Sequence, residues 1–152
     1  MMFEQIRTFS AASQQPIFFV SEELEREKAR YYDLLNGVRG EKPDWYAWIK
    51  FFLEASLRMA ENLLEKLHQC EALARRGASQ LSTENEKRVW FYSFNAPQFT
   101  ASDAASACDI TPQTARKVLG KLGSLELIYT DKVTHRNKKY YNYEVLRILN
   151  QK

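Results

Sequence analysis

The chain has 152 residues, 45% hydrophobic and 13% aromatic, enough to bury a core in one domain or two small ones and too apolar for a disordered chain. No run of about 18 apolar residues occurs, and the opening "MMFEQIRTFSAASQQP" has neither the basic start nor the apolar centre of a secretory signal, which argues against membrane insertion and export and predicts a cytoplasmic protein. The net charge of +3 hides an asymmetry: nine bases against three acids from Thr111 onward give +6, while thirteen against sixteen before it give −3, so the C-terminal part is the one suited to a polyanion.

In chain order, Pro16 precedes a short extended apolar run, Ile17 to Val20, and Ser21 is placed to cap a helix with Glu22 and Glu23 at its positive end. Leu24, Tyr31, Leu35 and Val38 mark the expected buried stripe of that helix. Gly37, Gly40 and Pro43 interrupt the chain, and Asp44 then caps a helix of about thirty residues. Trp45, Trp48, Ile49, Phe52, Leu53, Leu57, Ala60, Leu64, Leu67 and Leu73 recur along it at helical spacing and are its expected buried face. A helix this long exceeds what one small core covers, which predicts a spine or a homodimer through residues 44–76. Cys70 and Cys108 sit beside apolar helix positions and read as small buried hydrophobes, not as a disulfide.

The polar stretch "GASQLSTENE" is the best boundary, dividing a helical region 1–78 from a second domain 79–152. Thr83 and Glu86 have capping-box spacing ahead of a helix over about 83–94, and Thr100 with Asp103 repeats the pattern ahead of an Ala-rich helix ending at Cys108. After the turn "CDIT", Thr111 caps a further helix with Pro112 at its first position. Ala115, Val118, Leu119 and Leu122 form its apolar stripe, opposite Gln113, Thr114, Arg116, Lys117 and Lys121. Two short helices joined by a tight turn make a helix-turn-helix. Leu127–Tyr129 and Tyr140–Tyr143 around the basic segment "DKVTHRNKK" predict a hairpin, the wing of a winged helix. The expected fold is therefore mainly α, a helical region with one long helix followed by a winged helix-turn-helix of three helices and a β-hairpin wing.

That order predicts binding to double-stranded DNA, with the second helix in the major groove and the wing along the backbone or minor groove. Gln113, Thr114 and Lys117 occupy the turns that reach base edges. Thr100, Ser102, Arg116, Lys121, Lys132, His135, Arg136 and Lys138 are the expected contacts to the DNA backbone. A winged helix that docks only protein is the rival on the same residues.

Residues 79–148, with "TASDAASACDITPQTARKVLGKL", resemble the winged-helix domains appended to bacterial transcription regulators. Asp109 stands where such a turn has Gly, and Asp takes left-handed conformations more readily than most residues. Glu126 stands where Gly follows the recognition helix, which predicts that the helix ends at Gly123 or that the connection is reshaped.

Residues 14–76 resemble the C-terminal portion of the Fic family core, on Gln15-Pro16, Tyr31-Tyr32, Val38-Arg39, Trp45, Trp48 and Phe51-Phe52-Leu53. The resemblance implies a family that transfers AMP from ATP to protein hydroxyls, some of whose members carry a winged helix downstream. The family's catalytic loop, a His-Pro-Phe segment running into Gly-Asn-Gly-Arg, has no counterpart here, because the chain has no His before His68 and no Gly before Gly37. No catalytic residue is assigned. His68 and His135 lie in different halves, and no CxxC, HExxH or glycine-rich phosphate loop occurs, so neither a metal nor a cofactor is expected. The rival from another class is an accessory subunit that completes a Fic catalytic core carried on a separate chain.

Overall fold

The structure is a computed structural model that describes residues 20–130 and 138–151, the Glu22 side chain excepted. Of the extended run expected at Ile17–Val20, Val20 instead opens a helix and the rest lies outside the described residues, as do the wing residues Lys132, His135 and Arg136. The fold is mainly helical, with one long helix and a small three-stranded antiparallel sheet. Two compact units divide at Leu63/Leu64. Among the described residues no helix is long and apolar enough to cross a membrane.

The first unit contains α1 (Val20–Arg26), α2 (Lys28–Gly37) and the beginning of α3 (Trp45–Ala78, 34 residues). The helix expected from Ser21 starts at Val20 and breaks at Glu27, whose backbone is non-helical at φ −111°, ψ 39°. Buried Glu23 pairs with Arg26 at 2.9 Å and with Arg58 at 3.6 Å. Arg58 also donates to Glu27 at 2.6 Å, so one guanidinium on α3 holds both sides of the break. The Arg30 guanidinium stands 5.2 Å from the Phe51 ring centre, and Tyr31 and Trp48 rings lie 5.4 Å apart. Asp44 caps α3 as expected, accepting from the Ala47 amide at 3.1 Å.

The covered face of α3 in this unit differs from the predicted stripe. Phe51 and Ala55 are buried, whereas Trp45, Ile49, Phe52, Leu53 and Leu57 are exposed. The helix is apolar around more than half its circumference here, so spacing alone does not choose which side a neighbour covers.

The second unit holds the end of α3, then α4 (Glu84–Asn95), β1 (Gln98–Thr100), α5 (Ala101–Cys108), α6 (Pro112–Ser124), β2 (Tyr129–Thr130), β3 (Lys139–Tyr141) and α7 (Tyr143–Leu149). Its core runs from Leu73 through Val89, Trp90, Phe99, Leu119 and Leu122 to Ile128 and Val145. The Trp90 ring lies so close over Gly77 that a Cβ there would overlap it, and its indole N–H donates to the Ala74 carbonyl at 3.0 Å. The strands run in the order β1-β3-β2, with Tyr129 opposite Tyr141 in one pair and Thr100 opposite Lys139 in the other. Buried Asn142 links the layers. Its amide N–H2 donates to Ser93 Oγ at 2.8 Å, its carbonyl accepts from the Val145 amide at 3.2 Å and so caps α7, and its backbone N–H donates to Pro97.

Candidate nucleic-acid interface

The helices that carry the candidate site are fixed by bonds local in sequence. At the start of α5, Thr100 Oγ1 accepts from the Asp103 amide at 3.2 Å, while the Asp103 carboxylate accepts from the Thr100 amide and hydroxyl, each at 2.8 Å. Those bonds from Thr100 hold the Asp103 carboxyl below its ordinary range. The helix ends at Asp109, which takes the left-handed conformation at φ 53°, ψ 50° and lets the Ile110 amide reach back to the Ala105 carbonyl at 3.0 Å.

Thr111 then caps α6, accepting from the Thr114 amide at 3.2 Å, and the two threonine hydroxyls share a 2.8 Å hydrogen bond. Ala115, Val118, Leu119 and Leu122 are buried. Gln113, Arg116, Lys117 and Gly120 are exposed and fall three or four residues apart, so they form one ridge along the outer side of the helix. Gly120 has open space around it on that ridge.

At its far end α6 runs past Gly123 to Ser124, so the helix does not end early. Instead Glu126 itself adopts φ 56°, and the Leu127 amide bonds to Leu122 at 3.0 Å while the Glu126 amide bonds to Gly123 at 3.1 Å. This is a Schellman ending with a charged residue where glycine is favoured.

Of the residues expected to meet DNA, Gln113, Arg116 and Lys117 come together on the α6 ridge. Ser102 is exposed in the first turn of α5, and Lys138 is exposed just ahead of β3. Three others are engaged within the fold: Thr100 in its capping box, Thr114 with Thr111, and Lys121 with Glu86 at 2.9 Å. The sheet register sets Lys139, a further exposed base, opposite Thr100 at the start of α5.

Neither a protein-family model nor a curated protein matches this chain.

Spacing in the sequence did not single out a tyrosine trio at the base of the hairpin. Tyr141 and Tyr143 rings stack with centres 5.3 Å apart, and Tyr129 lies 5.5 Å from Tyr143. Tyr129 and Tyr143 are both exposed large rings. Tyr129 lies on β2 and Tyr141 on β3, but Tyr143, expected as the end of the second strand, stands on α7, because Asn142 ends the strand and caps that helix. Cys70 and Cys108 are free thiols, both raised above the ordinary range by burial.

Proposed function

We propose that residues 64–152 contain a winged helix-turn-helix that binds double-stranded DNA and serves transcriptional regulation. The observation that carries this reading is the ridge Gln113, Arg116, Lys117 and Gly120 on a helix whose opposite side is locked into the core by Ala115, Val118, Leu119 and Leu122. A rigid helix with cations and an amide on its outer face suits the major groove, which is wide enough to admit it. The succession α4, β1, α5, α6 and the β2–β3 hairpin supports the same reading.

In this assignment Gln113 and Lys117 reach base edges, Gln113 being able to pair adenine N6 and N7 together. Arg116, Ser102, Lys138 and Lys139 meet phosphates. Gly120 lets the duplex approach the helix backbone closely. Thr100, Thr114 and Lys121 hold the two helices in place. The exposed glycine is otherwise an unfavourable choice, since it costs a helix interior about 0.5–1 kcal/mol relative to alanine.

Fluorescence anisotropy with a labelled duplex tests the assignment. Arg116→Glu and Lys117→Glu should each weaken binding by about tenfold or more with the helical content intact. Wild-type affinity in both variants would overturn it.

A further inference from the structure

Among the described residues the first part of α3 is apolar on two sides, one buried and the other exposed. Phe51 and Ala55 are buried in the first unit. On another side Tyr46 is 78% exposed, Leu53 and Leu57 are each 60% exposed, and Ile49 and Leu63 about half, with Trp45 at the end of the row. Trp45, Tyr46, Ile49, Leu53 and Leu57 recur at three and four, and the small Ala60 continues that spacing to Leu63, the spacing of a seam between helices. At roughly 100 Å² of exposed surface per large side chain, the row presents on the order of 600 Å² or more. That reaches or exceeds the largest apolar patch of a typical monomer and approaches the ~800 Å² each partner contributes to a standard interface.

We propose that this face is the seam of a homodimer, in which α3 of a second copy lies antiparallel across residues 45–63. Area favours a second copy, because two such faces together supply what a stable dimer needs. The order of side-chain sizes sets the direction. Tyr46, Ile49 and Leu53 come first without a small residue between them on this side, and the small Ser56 and Ala60 occur only in the later half, beside Leu57 and Leu63. Opposed chains place Ile49 against Ala60 of the second copy and Leu53 against its Ser56, large on small, with Tyr46 against its Leu63 at the ends. Chains running the same way would set Tyr46 on Tyr46 and leave Ser56 and Ala60 facing their equals across a gap. Ser56 is already suited to a dry seam: its hydroxyl donates to the Phe52 carbonyl at 2.8 Å, so burial leaves no donor unpaired. Exposed Lys50 and half-buried Glu54 border the row with both signs of charge, which imposes no repulsion between identical copies.

The dimer does not depend on the DNA assignment. Sedimentation equilibrium on the full chain tests it, with circular dichroism to follow helix content. The wild-type protein should have twice the 17.8 kDa chain mass at tens of micromolar, set by the affinity such a seam supports. Leu53→Asp should raise the dimer dissociation constant at least a hundredfold, and the milder Leu53→Ala at least tenfold with helix content kept, whereas Lys117→Glu should remain dimeric. A wild-type monomer would overturn the proposal, including one whose face takes up a different chain. So would a dimer indifferent to both Leu53 variants. In a Cys70→Ser background, mixed Ile49→Cys and Ala60→Cys copies should cross-link to each other. Preferential cross-linking of Ile49→Cys with itself would overturn the antiparallel arrangement.

Discussion

The Lys121 ammonium on α6 lies 2.9 Å from the carboxylate of Glu86, which is only 8% exposed and also accepts from the Ser82 and Thr83 amides. One acid therefore closes the capping box of α4 and ties the outer helix α6 to it. Lys121 first, and then those two amides, hold the Glu86 carboxyl down at about 2, against the opposing effect of burial.

Acid should release that tie. The folded value lies below the ordinary 4.5, so the stabilisation is complete above about pH 5 and is withdrawn as pH falls from there toward 2. Asp103, also lowered by its partners, contributes with the same sign. Thermal midpoints measured from pH 7 to 2 should fall for the wild type through that window. Glu86→Gln should start lower at pH 7 and lose less on acidification, Asp103 keeping part of the slope. Parallel acid limbs in the two proteins would contradict this.

Two glycines in helices should answer oppositely to alanine. At Gly77 a Cβ meets the Trp90 ring, so Gly77→Ala should destabilise by about 1–3 kcal/mol despite alanine's better helix propensity. At Gly120 nothing lies near, and Gly120→Ala should stabilise by about 0.5–1 kcal/mol. Urea midpoints of the two variants check both signs. A longer side chain, as in Gly120→Leu, should leave stability near wild type yet weaken duplex binding.

Glu126 holds a left-handed conformation at φ 56° that favours glycine. Glu126→Gly should therefore raise stability by about 1 kcal/mol, readable as a higher urea midpoint with an unchanged slope. An unchanged or lower midpoint would show that the charged side chain compensates its backbone.

Asn142 is the polar residue most deeply committed to the second unit, fully buried and bonded to Ser93, Val145 and Pro97. Asn142→Ala removes a cap and a buried hydrogen bond together and should cost about 2–3 kcal/mol in chemical denaturation. A loss below about 1 kcal/mol would mean that the network is filled by other groups.

What could be read from the sequence was what depends on near neighbours. The caps at Asp44, Thr83, Thr100 and Thr111 are bonds between residues three apart, and all four form. The apolar stripe of α6 was legible because the helix has only one such side. The buried side of α3 was not, because Trp45, Ile49 and Leu53 compete on spacing with Phe51 and Ala55, and contacts with α1 and α2 decide between them. The break at Glu27 has no local signal for a similar reason: its stabilising partner Arg58 is 31 residues away. Strand β1 has three residues and exists through its pairing with β3, and Asn142 meets Ser93 across 49 residues. On the candidate site, the ridge residues were legible from helix spacing, while the diversion of Lys121 to Glu86 required the packing of α4 on α6.

The salt dependence of duplex binding tests the central proposal most directly. With Arg116, Lys138 and Lys139 each neutralising a phosphate, log K against log salt concentration should fall with a slope of roughly −3, and Arg116→Glu should reduce its magnitude by about one. No retention of any duplex at low ionic strength, or a slope near zero, would contradict a DNA-binding role for the α6 ridge.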